Sequence, residues 1–209
     1  MYTSVYVSLT ADSLPQSEIL RYMRAGSHPS DEVMAAAERG AQAVLEAVAG
    51  RGCYACLPVH SDGDCVRIGE LDMKSKSLAR HLEGCGIAFV IAVTAGVGVD
   101  RKIRAAEAEG VLIGLATDAA GSALVEVLCD SLCDHICGEI CQNGEYAMGV
   151  SLTKRFSAGY GDLSLEYQRD ICELLDMPRS IGATLTDGGM LAPTKTVTAI
   201  VGVKSICDA

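Results

Sequence analysis

The 209-residue chain carries 27 acidic against 17 basic side chains, a formal charge of -10, and is 49% apolar. That much negative charge excludes a phosphate backbone as the main partner, since nucleic-acid binding needs dense cationic surface. The length is enough to bury one core, so a single domain over 1–209 is expected, with residues 1–74 less well defined by pattern than 75–203.

The first residues, Met1-Tyr-Thr-Ser-Val-Tyr, lack the basic segment and long apolar stretch of a secretory signal, so the cytoplasm is the expected location. The ten cysteines are then expected to be thiols rather than disulfides. Val5 to Thr10 alternates as a strand does, and Pro15 to Arg24 takes helical spacing that ends near Gly26. Ser30-Asp-Glu places acids at the positive end of a second helix, which the Ala-rich run from Val33 to Val48 continues until Gly50. Between Cys53 and Ile68, two strand-like runs flank Ser61-Asp-Gly-Asp, which predicts a hairpin.

Ser75 to Leu82 predicts a short helix stopped by Gly84. Ile87 to Thr94 is continuously apolar and predicts a buried central strand. The longer apolar run around it, Gly86 to Val99, falls short of the ~20 residues of a membrane-spanning helix, and no membrane role is expected. A helix is predicted over Asp100 to Glu109 and a longer one from about Asp118. In the latter, Leu124, Leu128, Leu132, Ile136 and Ile140 recur every four residues and should face the core. Ser164 to Leu175 predicts a final helix before Pro178, with strands at Gly182 to Thr186 and Thr196 to Val203. Strands and helices mix without a βαβ rhythm. The expected class is α+β, a twisted, largely antiparallel sheet with flanking helices.

Several groups could carry chemistry. Cys129, Cys133, Cys137 and Cys141 repeat every four residues, but the first and last would lie ~18 Å apart along a helix, so the four cannot share one metal. They border the leucine stripe, where a thiol packs as a small apolar group. Cys53-x2-Cys56 with Cys65 has a better metal or redox spacing, but no second pair follows. His28, His60, His81 and His135 are scattered and suggest no triad. Gly96-Val-Gly-Val lacks the third glycine and the lysine of phosphate loops and reads as a turn. In the C-terminal third, Arg155 offers a permanently charged fork for a carboxylate. Gly159 lets a backbone approach a ligand, and Tyr160 adds a flat ring with a polar tip. The same residues would also suit a surface ion pair and a turn.

Thr153-Lys-Arg-Phe-Ser-Ala-Gly-Tyr-Gly-Asp-Leu-Ser-Leu-Glu-Tyr-Gln168, then Ile181 to Pro193 and Thr196-Val-Thr, resembles the reactivation domain of cobalamin-dependent methionine synthase. The likeness touches Leu78 to Cys85, Thr94-Ala-Gly and Gly121 to Glu126, so it spans roughly residues 75 to 203. It implies binding of S-adenosylmethionine, with Arg155 on the methionine carboxylate and Glu126 and the Ser157 backbone near the methionine and sulfonium end. It also implies that Gly159 lies close to the ligand, that Tyr160 points toward cobalt as the catalytic-side residue, and that Val201 and Gly202 line the adenosine. Asp12 is the N-terminal candidate for a further acidic contact. The family pattern has proline where this chain has Ala158, and Trp-Pro where it has Leu163-Ser164.

The chain lacks Asp-x-His-x-x-Gly, the cobalt-ligand segment of cobalamin modules, and has no room for homocysteine or folate barrels. The resemblance therefore implies a stand-alone reactivation protein acting with cobalamin or another corrinoid held by a partner methyltransferase, and with a flavodoxin-like or other electron donor. Two alternatives stay open: a non-catalytic corrinoid-protein binder or chaperone without S-adenosylmethionine affinity, and a Cys-rich metal or redox protein.

Overall fold

Strand β5 (Ile87–Thr94) is buried along nearly its whole length, as a continuously apolar strand requires, and it lies in the middle of a seven-stranded sheet. A computed structural model describes residues 5–142 and 150–205. On one side β5 pairs with β2 (Gly50–Asp62) and on the other with β9 (Thr196–Ser205), both antiparallel. The long β2 serves two partners along its other edge. Its first half pairs with β1 (Val5–Leu9) and its second half with β3 (Cys65–Ile68), which leads into β4 (Leu71–Lys74). At the far side β6 (Val150–Leu152) pairs with Val203 to Ser205, and β7 (Thr184–Leu185) and β8 (Leu191–Ala192) form a separate two-stranded ribbon. Every pairing among the described residues is antiparallel, and the fold is α+β.

Alternation along the strands divides the core in two. Tyr54, Phe89, Ile91, Val93, Ala199 and Val201 face one layer of helices: α1 (Gln16–Tyr22), α2 (Asp31–Ala47), α4 (Val97–Glu109) and α5 (Val111–Gln142). Ala55, Leu57, Val90, Ala92 and Ile200 face the other, where α3 (Lys76–His81), α6 (Tyr167–Leu174) and α7 (Met177–Ser180) pack. The expected stripe holds on α5. Leu124, Leu128, Leu132 and Ile136 are fully buried, and Ile140 packs against the same core. By length and composition α5 would suffice to cross a membrane, but more than half of the qualifying stretch is inside this core. Helices α2 and α5 approach closely at Gly40, where a Cβ would stand 2.9 Å from the Ala116 backbone.

Some boundaries differ from expectation. Helix α4 begins at Val97, with Gly96 as its N-cap, instead of at Asp100. Asp100 is buried and accepts hydrogen bonds from the backbone and hydroxyl of Thr194. Helix α5 begins at Val111, not Asp118, because only Gly110 separates it from α4 and Gly114 continues the helix by bonding to the Gly110 carbonyl. The segment from Ser164 enters α6 through turns, and Pro178 sits in the first turn of α7 instead of following a helix end. Strands β4, β6 and β8, each of two to four residues, carry too little pattern to predict.

Candidate functional site

After the bridge that pairs Phe156 with Ile200, the chain leaves the sheet edge and makes a tight loop. The Tyr160 N–H donates to the Ser157 carbonyl, Leu163 to Tyr160 and Gly159 to Leu163, so three backbone hydrogen bonds close it without the proline of the family pattern. Leu163 anchors the loop in the core at 2% exposure, and Ala158 is buried too. Gly161 has φ +56°, and a Cβ there would fall 2.7 Å from Ser77 Oγ, so both its conformation and its space call for glycine. His81 steadies the entry to the loop. Its Nε2 donates to the Lys154 carbonyl at 2.7 Å, and its ring lies 5.1 Å from that of Phe156.

Beside this loop is an open cavity of about 670 Å³, walled by α5, the start of the loop and β9. Its size is within the ~300–1,000 Å³ of small-molecule clefts. Arg155 reaches across it to α5. Nη2 donates to Glu126 Oε2 and Nη1 to Asp130 Oδ1, each at 2.5 Å. Glu126 and Asp130 are one helical turn apart, so both carboxylates present to the same guanidinium. Burial disfavours the charge on Arg155, but the hydrogen bond and charge of Asp130, with Glu126, outweigh it and raise the guanidinium pKa above its usual value.

The opposite wall is backbone. The Ile200 N–H donates to Phe156 O at 2.7 Å and the Gly202 N–H to Thr153 Oγ1 at 2.9 Å, so the even-numbered peptide groups of β9 point away from β5. β6 and Phe156 cover that edge only from Ile200 onward. At Thr196 to Thr198 the edge borders the cavity, where the Thr198 carbonyl accepts from Ser157 Oγ at 2.7 Å. Buried Gln168 of α6 also reaches the cavity and donates to Thr198 Oγ1 at 2.6 Å.

The structure thus brings Glu126, Arg155, Ser157 and Tyr160 to one cavity; Gly159, between the last two in sequence, is not among its lining residues. Tyr160 is at the mouth, 59% exposed, its ring edge-on to Phe156 at 6.2 Å. Val201 and Gly202, which the resemblance places along the adenosine, are not among the residues that line this cavity. Val201 is fully buried on the helical face, and a Cβ at Gly202 would meet Cys85 Sγ at 2.6 Å, so neither lines the cavity. Asp12 lies in a separate groove beside Ala49 to Arg51. Sequence pattern alone points to neither Asp130 nor Gln168. The i, i+4 spacing of Asp130 from Glu126 was the available signal, whereas Gln168 depends on a tertiary contact with β9.

The cysteines divide by environment. Cys129 is fully buried, which pushes its thiol up to about 12, while half-buried Cys133 and Cys137 line the cavity. The side chain of Cys141 lies outside the described residues. Cys53 points into the core between the sheet and α6–α7. Cys56, three residues on, projects from the opposite face, so the pair cannot close on one metal. Among the described residues no three His, Cys, Asp or Glu side chains converge as a metal site needs.

Neither a family model nor a curated protein matches the sequence. The structure does match a solved one, the crystal structure of the MetH reactivation domain bound to AdoHcy, with TM-score 0.66 at 14% identity over 98% of this chain and 79% of that one. The chain has the fold of the MetH reactivation domain. In this reactivation-domain fold the Arg155 loop and the edge of β9 are placed together by the sheet itself.

Proposed function

We propose that this chain binds S-adenosylmethionine in the Arg155 cavity and presents its methyl group to the reduced corrinoid of a partner methyltransferase, acting as a stand-alone reactivation protein. The observation that carries the reading is Arg155 flanked by Glu126 and Asp130 on the wall of the cavity. A cationic fork beside the Glu126 carboxylate complements a ligand that joins a carboxylate to an ammonium and a sulfonium. The fold, shared with a domain solved with AdoHcy, supports the same ligand class.

Bound S-adenosylmethionine supplies an electrophilic methyl group. The residues of this chain would position it. Arg155 takes the carboxylate and Glu126 the cationic end, while the open peptide edge at Thr196 to Thr198 offers donors and acceptors to the adenine rim. Tyr160, exposed at the mouth, is then the residue a docked corrinoid protein meets first. The electron donor that keeps the metal reduced is a separate protein in this reading.

Titration calorimetry with S-adenosylmethionine and AdoHcy tests the first half. Wild type should bind both, and Arg155→Ala should lose at least tenfold in affinity, as removal of a charge-assisted pair does. Following the cobalt spectrum of a reduced corrinoid protein on adding S-adenosylmethionine tests the second; methylation that proceeds equally without this chain sinks it. A corrinoid-protein binder without ligand affinity is the second reading. It is favoured by one observation, that both Nη groups of Arg155 already donate to the chain's own carboxylates.

A further inference from the structure

Arg155 would recognise a ligand carboxylate through its Nη groups, yet Nη1 is held by Asp130 and Nη2 by Glu126. The two acids take one N–H each of the five on the guanidinium, so a ligand carboxylate that comes to the Nη1–Nη2 end competes with both for it, and one of the two acids gives way. Their surroundings decide which. The Asp130 side chain is 67% exposed against 41% for Glu126, so Asp130 returns to water with the smaller change in solvation. Among the described residues it has no second hydrogen-bond partner to hold it in place.

We infer that Asp130 is a built-in competitor for the ligand: its carboxylate occupies on Arg155 the place that the ligand's own carboxylate takes, and it swings away when the ligand binds. The inference rests on the function proposed above. Its function would be to keep the guanidinium oriented, at the expense of affinity. A site whose competent state is only partly populated binds more weakly in proportion to that fraction. For an ion pair as exposed as this one, the penalty is about 2- to 5-fold.

Asp134, one further turn along α5, also lines the cavity and makes no ion pair among the described residues. It therefore serves as the charge control. Removing either aspartate takes one negative charge from the same wall, but only Asp130→Ala frees Nη1 of the fork.

The experiment is titration calorimetry of the full chain with AdoHcy, whose ammonium and carboxylate cancel, so that the long-range effect of one wall charge is small. Asp130→Ala should bind about 2- to 5-fold more tightly than wild type, and Asp134→Ala should bind equally or more weakly. Wild-type binding that Asp130→Ala leaves unchanged overturns the inference alone, and binding that it weakens overturns it too and makes Asp130 a direct contact to the ligand's cationic end. Absence of heat with both proteins, each shown folded by circular dichroism, overturns the proposed function and the inference together. Binding that emerges only in Asp130→Ala supports the competitor and shows the wild-type fork to be closed.

Discussion

Asp162 and Ser75 are 87 residues apart in sequence and in direct contact in the fold, Ser75 Oγ donating to Asp162 Oδ1 at 2.5 Å. The same carboxylate accepts from the backbone N–H groups of Lys76 and Ser77, so the residue that ends the Arg155–Gly161 loop also caps α3. The Ser75 hydroxyl, then the Ser77 N–H, hold its pKa well below the ordinary carboxylate range. A depressed folded-state pKa contributes stability that is present above the unfolded value near 4 and lost as pH falls below it. Asp162→Ala should lower Tm at neutral pH by about 2–4 °C, the loss of one capping contact in a chain of this size, and should unfold with a shallower acid dependence. Thermal melts from pH 7 to pH 2.5 check both. Equal acid slopes for the two proteins would remove Asp162 from the account.

The loop's two left-handed glycines should differ in their tolerance of a side chain. Gly159 (φ +89°) has open space, with only Leu165 Cδ1 at 3.5 Å, whereas a Cβ on Gly161 (φ +56°) would overlap both Ser77 Oγ and its Cβ, at 2.7 and 2.8 Å. Gly159→Ala therefore carries only backbone strain, about 1–2 kcal/mol. Gly161→Ala adds a displacement of the α3 cap and should be more destabilising by about 1 kcal/mol or more. Urea denaturation of both variants ranks them, and the reverse order would mean that the loop is not seated on Ser77.

Which parts were legible in the sequence follows from how each is specified. The buried strand Ile87–Thr94 and the four-residue stripe of α5 are written in local periodicity. Arg155, Ser157 and Tyr160 stand together in the chain, and Glu126 came through the resemblance; all four reach one cavity. Strand parity and tertiary context are not written locally. The alternation of β9 sends Val201 into the helical core and leaves the peptide edge at Thr196 to Thr198 for the cavity, but parity cannot be assigned until the neighbours of β9 are known. Gly110 and Gly114 look like breakers, yet the long α5 starts between them because it packs against α2 and α4. Ser75, the partner of Asp162, and Thr198, which Gln168 meets at the cavity, lie 30 or more residues away, beyond any window of periodicity.

Two deeply buried thiols set an alkaline limit on stability. Burial pushes Cys53 and Cys129 each up to about 12. A folded-state pKa raised above the unfolded value near 8.5 contributes stability that is complete below that value and lost as pH rises toward the folded one. Each thiol should therefore reduce stability by about 2 kcal/mol between pH 8 and pH 10. Cys129→Ala loses packing at every pH, but the slope of its stability against pH should be smaller than that of wild type by one thiol's share. Urea denaturation at pH 8, 9 and 10 gives the slopes, and identical slopes would show that the Cys129 thiol ionises as readily in the fold as out of it.

Gly40 and Gly138, each inside a helix, should respond with opposite sign to the same substitution. Glycine within a helix costs about 0.5–1 kcal/mol relative to alanine, so with free space around it Gly→Ala stabilises. Gly138 of α5 meets that condition, since a Cβ there finds nothing within 4 Å, and Gly138→Ala should stabilise by that amount. At Gly40 of α2 the Cβ would stand 2.9 Å from the carbonyl carbon and oxygen of Ala116 and from the Thr117 nitrogen. These are backbone atoms of α5, which cannot rotate aside as a side chain would. Alanine would force apart two helices that are packed over much of their length, and overpacking of this kind costs about 1–3 kcal/mol, more than the helix propensity returns. Gly40→Ala should therefore be destabilised in urea while Gly138→Ala gains. A stabilised Gly40→Ala would show that α2 and α5 are not in backbone contact, and with that the seating of α5, which carries Glu126 and Asp130 to the cavity, would need revision.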